Sequence, residues 1–140
     1  MTIGIKLGQI TDEIGSSDFF HSFFSTIAGN LEPEGWGSRF PTMMNTFYAG
    51  KLEKHDVQAA LSELDEITSS LQRIRPDQVI WDYADRTKLP PWGSNISDEI
   101  ESLGNYFVTS TGRQLIPLIR EVFLEAMNGE AGGAIEVISY

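Results

Sequence analysis

His21 and His55 are the two histidines of a chain that has no cysteine, and they are its first candidates for proton transfer or metal ligation. A histidine ligand pair on one helix wants i, i+4 spacing. These two lie 34 positions apart. His55 stands in the polar turn Lys54-His55-Asp56 at a helix start and reads as a surface side chain. His21 is less plain. Ser17 and Ser25 lie one helical turn to either side and could bond its ring. Further on, Trp36 and Arg39 stand in a glycine-rich loop, and an arginine beside an aromatic ring can hold a carboxylate or phosphate. Ser17, His21, Trp36 and Arg39 therefore outline one candidate pocket, that of a small enzyme or ligand-binding domain.

Carboxylates are the other chemical resource. Asp82 and Asp85 form one group, and Asp98, Glu99 and Glu101 another. Glycosidase-type chemistry needs two acids at a set separation across a substrate, which sequence spacing does not establish. A divalent cation at Asp82 and Asp85 needs further oxygen ligands in a fixed loop, and the calcium-loop spacing is absent. They read as solvated acids. No G-x-S-x-G elbow, phosphate-binding loop or G-x-G-x-x-G turn occurs. No residue is assigned to catalysis, to a metal or to a cofactor. Without cysteine, disulfides, thiolate chemistry and cysteine-ligated zinc are excluded.

Between Asp77 and Glu101 six acids face two bases, Arg86 and Lys88. Trp81, Tyr83 and Trp92 are interleaved with them, and Pro90 and Pro91 stiffen the loop. Acids steer a basic partner and aromatics anchor it. Asp82, Asp85, Trp92, Asp98, Glu99 and Glu101 are thus the candidate partner contacts. Trp81 reads as core, and Trp92 suits either binding or the packing of its loop. The whole chain carries a net charge of −10. Such a surface repels nucleic acid and anionic membranes and attracts a basic protein. Solubility alone also accounts for an acidic surface.

The elements that must position these residues follow from hydrophobic patterning. Ile3, Ile5 and Leu7 alternate with Thr2, Gly4 and Lys6 as a half-buried strand, which Gly8 and Thr11-Asp12-Glu13 end. Ser16 or Ser17 caps a helix whose stripe is Phe19, Phe20, Phe23, Phe24, Ile27 and Leu31, with His21, Ser22, Ser25 and Thr26 mostly off it. Pro41 opens a short helix that closes at Gly50. From Glu53 a long helix places Val57, Ala60, Leu61, Leu64, Ile67, Leu71 and Ile74 inward, until Pro76 stops it. Val79–Trp81 and Asn105–Ser110 have strand composition. Thr111–Asn128 reads as the last helix, kinked at Pro117 or beginning just before it, and closed by Gly129, Gly132 and Gly133. Ile135, Val137 and Ser139 alternate as a final strand.

The length suits one domain covering residues 1–140, of α+β class, with helices packed on a small sheet that includes the N-terminal and C-terminal strands. Terminal strands at sheet edges would allow pairing in a dimer, so monomer and homodimer both stay open. The first residues lack a signal-peptide pattern and no window is apolar enough to span a membrane, so a cytoplasmic location is expected.

After the first strand come GSSDFFHSFFSTIA, LEPEGWGSRFP, VIWDYAD, PPWGSNIS and NYFVTSTGRQL. Together, from Ile3 to the helix after Asn105, they resemble the immunity protein 70 family of bacterial polymorphic toxin systems. The resemblance implies a small cytoplasmic protein encoded beside a secreted or contact-delivered toxin. It would bind the cognate toxin domain and block it stoichiometrically, without catalysis. A basic nuclease is one form such a toxin takes, and an acidic blocker would meet it quickly. No active site comes with the resemblance. Ser17, Phe19, Phe20, His21, Trp36, Arg39, Trp81, Pro91, Trp92, Tyr106 and Phe107 belong to the shared pattern, and structural and toxin-contacting roles are both open to them.

Overall fold

The computed structural model describes residues 1–129 and 133–140. Its first strand, β1 (Thr2–Leu7), buries Ile3, Ile5 and Leu7, as their alternation requires. Gly8 then takes φ +63°. A two-residue hairpin of II′ type wants that backbone at its first turn position, and glycine adopts it without strain. The chain returns as β2 (Ile10–Ser16), antiparallel to β1. Thr11-Asp12-Glu13 therefore continues the sheet instead of ending it: its polarity belongs to a largely solvated edge strand. The pairing slips between Ile3 and Gly4, which leaves Ile14 unmatched across the ladder with its side chain fully buried.

The two-residue β3 (Lys51–Leu52) and the C-terminal β4 (Ile135–Ser139) complete the sheet. The order is β2-β1-β4-β3, antiparallel throughout. The terminal strands are thus its middle, so neither of them leaves a free edge for pairing in a dimer. Thr2 and Tyr140 exchange backbone hydrogen bonds of 3.0 and 2.9 Å. The edges belong to β2 and β3.

The helix α1 (Ser17–Leu31) begins where the Oγ of Ser16 accepts the N–H of Phe19 at 3.1 Å. Asp18 in its first turn complements the helix dipole. All six residues of the expected stripe are buried. Phe23 meets Phe107 edge-on at 5.2 Å between ring centroids, and Phe20 lies 4.9 Å from Phe24. The segment after Pro41 is a π-helical stretch, Thr42–Phe47. Its free N–H groups at Thr42 and Met43 are taken by the Glu63 carboxylate, at 3.2 and 2.8 Å. Glu63 belongs to α2 (Val57–Leu71), which follows a 3-10 turn at Lys54–Asp56 and buries Val57, Ala60, Leu64, Ile67 and Leu71.

The last helix, α3, spans Leu115–Asn128 and not Thr111–Asn128. Starting at Leu115 puts Pro117 in the first turn, where a missing N–H breaks no intrahelical bond. The N–H of Gly129 closes the helix on the carbonyl of Glu125 at 2.7 Å. The expected closing residue Gly132 lies outside the described residues. α2 packs along α3, while α1 lies against β1 and β2. Among the described residues no helix is long and apolar enough to cross a membrane.

Val79–Trp81 and Asn105–Ser110 are not strands. The chain from 79 to 114 is a strap of turns, with one isolated bridge between Val108 and Gln114. Ser110 donates its N–H to the carbonyl of Ile14 at 3.0 Å, which ties the strap to the edge strand β2.

Candidate functional site

Three small polar side chains of α1 explain why residues 79–81 need no strand partner. Ser22 donates from Oγ to the carbonyl of Ile80 at 2.8 Å. The Oγ1 of Thr26 donates to the same carbonyl at 3.2 Å and accepts the N–H of Ile80 at 3.0 Å. The Oγ of Ser25 accepts the N–H of Tyr83 at 3.0 Å. Ser22, Ser25 and Thr26 are fully buried, not on an outer face as their polarity suggests. Their hydroxyls do for this backbone what a neighbouring strand would do. Asn30 adds a bond from Nδ2 to the carbonyl of Gln78 at 3.1 Å.

The strap pinned in this way delivers Asp82 to His21. The imidazole Nδ1 lies 2.6 Å from the Tyr48 hydroxyl, and Nε2 lies 3.3 Å from Oδ1 of Asp82. The indole of Trp36 stacks on the imidazole at 5.7 Å and 20°, and Tyr83 packs edge-on against Trp36 at 5.6 Å. The second carboxylate oxygen of Asp82 is 3.4 Å from Nζ of Lys88. The N–H of Ala84 holds the Asp82 carboxyl below the usual carboxylate range, helped by His21 and Lys88 and opposed by desolvation. Desolvation, then the charge of Asp82, pushes the Tyr48 phenol above its ordinary value. Tyr48 therefore keeps its proton at neutral pH; a ring proton on Nε2 would face Asp82 and leave Nδ1 to accept that of Tyr48. That tautomer satisfies all three groups and leaves neither ring nitrogen free.

The loop that brings Trp36 to this cluster is organised by a carboxylate with no local sequence signal. Glu32 is buried. Its Oε1 accepts the N–H of Gly37, and its Oε2 accepts those of Arg39 and Phe40, each at 3.0 Å. Gly37 has φ +83°, and the Asn45 side chain fills the place a Cβ would take. Trp36 itself donates from Nε1 to the carbonyl of Met44 at 3.0 Å.

The candidate pocket of Ser17, His21, Trp36 and Arg39 is therefore divided. His21 and Trp36 meet. Ser17 is exposed at the first position of α1. The Arg39 guanidinium is committed elsewhere, 2.8 Å from Glu66, 3.4 Å from the carbonyl of Leu31 and over the ring of Phe40. Ser25, one turn from His21, serves Tyr83 instead. Asp82 moves from the acidic group to the histidine, and Tyr48, which sequence reasoning missed, completes the cluster. His55 is exposed and lies 3.4 Å from Asp56.

The acids of the strap fall into two kinds. Asp85 accepts the hydroxyl and the N–H of Thr87, chiefly the former, and is held below the usual carboxylate range. Asp98, Glu99 and Glu101 are exposed, and among the described residues none of them joins an ion pair. Their backbone is nevertheless fixed. The Oδ1 of Asn105 accepts the N–H groups of Glu101 and Ser102 at 3.0 and 3.2 Å, and its Nδ2 donates to the carbonyl of Glu99 at 2.9 Å. Leu103 N–H reaches the carbonyl of Ile74 beyond α2 at 2.9 Å. Trp92 donates its indole N–H to the Tyr106 hydroxyl at 2.8 Å and meets Trp81 edge-on at 5.4 Å. It is packed on the body and still 38% exposed. Trp81 is half-buried.

An acidic α+β protein with a fixed, aromatic, carboxylate-bearing strap is what fold and surface define. A protein-family model described as Immunity protein 70 matches residues 5–135 of the 140. The chain belongs to the Immunity protein 70 family. No curated protein and no solved structure matches it.

Proposed function

We propose that this protein binds the toxin domain of a bacterial polymorphic toxin system and neutralises it by one-to-one contact in the cytoplasm of the producing cell. Membership of an immunity-protein family supports this reading. The observation that carries the site is the carboxylate trio Asp98, Glu99 and Glu101, without an ion pair among the described residues and on a turn whose backbone Asn105 bonds at Glu99, Glu101 and Ser102. A preorganised acidic surface loses little entropy on binding and speeds the encounter with a basic partner. Trp92, 38% exposed, is the aromatic contact. Asp82 and Asp85, each already bonded within the protein, contribute field more than contact. Inhibition by contact needs no catalytic group, and a basic nuclease domain is the partner this charge fits best.

Co-expression with the toxin domain encoded beside the gene tests the reading. Rescue of growth and a stable one-to-one complex are expected. Asp98→Lys, Glu99→Lys and Glu101→Lys together slow association and weaken its salt dependence while the melting temperature holds. Unchanged association at low salt would move the interface away from the strap.

A further inference from the structure

Two apolar recesses open side by side on the strap. One, of about 550 Å³, is lined by Val79, Leu89, Pro90, Ile96 and Tyr106, with Asp77 at its rim. The other, of about 250 Å³, is lined by Trp92, Ile96, Ile100, Tyr106 and Val108. Ile96 and Tyr106 belong to both, so the hydroxyl of Tyr106, bonded to Trp92, stiffens the wall between them. The large apolar side chains exposed among the described residues are few, and three of them stand here: Leu89 at 72%, Val108 at 43% and Trp92. Exposed apolar surface gathered in one place marks an interaction site.

Charge selects the occupant. Asp98 and Glu99 lie in the chain between Ser97 and Ile100, which both line the second recess. The two bases of the strap are engaged internally: Lys88 with Asp82, and Arg86 over the ring of Tyr83 at 5.2 Å with its Nε on the carbonyl of that residue. Asp77, at the first recess, pairs with Arg75 at 3.4 Å, so the carboxylates beside the recesses that join no ion pair among the described residues are Asp98 and Glu99. Well-packed apolar depressions are where a few anchor side chains carry most of a binding energy.

We propose that the paired recesses receive two apolar side chains of one basic segment of the toxin domain, whose lysines or arginines meet Asp98 and Glu99. This rests on the immunity reading above and names the chemistry of its docking segment. Anchoring and steering are then separate: the recesses set how slowly the complex dissociates, and the carboxylates set how fast it forms.

The test is the binding kinetics of the cognate toxin domain with the full-length protein and three variants. Leu89→Ser with Val108→Ser removes exposed side chains whose loss leaves the core intact, checked by circular dichroism. This double variant is expected to dissociate about tenfold faster or more, with its association rate little changed. Asp98→Lys with Glu99→Lys is expected to do the reverse, slowing association. Ile10→Ser removes an equally exposed side chain, 70%, from the far end of the β1–β2 hairpin and is expected to leave both rates within about twofold. Unchanged dissociation in Leu89→Ser with Val108→Ser, beside tight wild-type binding, overturns the recess proposal and leaves the immunity reading standing. Faster dissociation from Ile10→Ser alone overturns it in favour of the hairpin. A wild-type protein that neither binds nor rescues overturns both.

Discussion

Asp82 reaches His21 across 61 positions of sequence, its Oδ1 3.3 Å from Nε2 of the imidazole. With Tyr48 on the opposite nitrogen, the ring joins α1, the segment after the π-helical stretch and the strap. Its role in this geometry is to position the strap. His21→Ala is expected to lower the urea midpoint of unfolding and to leave toxin affinity within about twofold once the protein is folded. Combined with Asp82→Asn it should lose less than the sum of the two single changes, because both break one network. Strictly additive losses, or a folded His21→Ala protein that still binds toxin but no longer protects, would return the histidine to a functional role.

Acid should unfold the protein partly through the strap. The carboxyls of Asp82 and Asp85 are held below their ordinary range by Ala84 N–H and by the Thr87 hydroxyl, respectively. In the unfolded chain these groups take up protons near pH 3.9. Below that value the unfolded state holds more protons than the folded one. Stability present at neutral pH is thus lost as pH falls from about 4 through the lower folded values. Urea midpoints measured from pH 7 down to pH 3 should fall, and Asp82→Asn should flatten part of the slope. An unchanged slope would show that Asp82 is no better solvated folded than unfolded.

Alkali should act at two phenols. Tyr48 is raised by desolvation and then by the charge of Asp82. Tyr106 is raised by burial against the opposing pull of the Trp92 hydrogen bond. The unfolded phenol ionises near pH 10. Past that point the unfolded state loses protons the folded state retains, so stability falls as pH rises. An absorbance titration of the four tyrosines should show late-ionising phenol, reduced by Tyr48→Phe. A titration that Tyr48→Phe leaves unaltered in its late phase would contradict this.

Glu32 holds three backbone N–H groups with one buried side chain. Glu32→Ala leaves those donors without a partner and should cost about 3 kcal/mol in chemical denaturation. Glu32→Gln keeps one accepting oxygen, enough for the Arg39 and Phe40 groups if it takes the place of Oε2, and should recover part of the loss. Equal losses in both would mean that packing rather than hydrogen bonding dominates at this position.

The parts legible in the sequence are those whose signal is local. The stripe from Phe19 to Leu31, the heptad-like run of α2 and the alternation of Ile3, Ile5 and Leu7 all encode a buried face within a few residues. The resemblance to the immunity family was legible too, because it lay in short specific stretches. β2 escaped notice because an edge strand exposed on most positions has little apolar alternation to show, and Gly8 alone marks its hairpin. The strap escaped because its backbone bonds come from hydroxyls on α1, more than fifty positions away. Ser22, Ser25 and Thr26 look like solvent-facing residues until that partner is known. Glu32 was illegible for the same reason, since a buried carboxylate is indistinguishable in sequence from a solvated one. The acidic strap was seen as a composition, but the division of labour within it, with Asp82 and Asp85 bonded within the protein and Asp98, Glu99 and Glu101 in no ion pair among the described residues, depends on contacts that composition does not hold.

The position of β4 between β1 and β3 has a consequence for how the protein comes into being. On the ribosome, β1 and β2 emerge first and have only each other, and an isolated two-stranded hairpin is marginal in water. The strand that joins them to β3 follows every other described element in the chain. Until Ser139 has left the exit tunnel, Ile5 and Leu7 have no cross-strand partners in Val137 and Ile135, and the sheet stays split. A chain cut before Ile135 would therefore yield not a weakened sheet but an unassembled one.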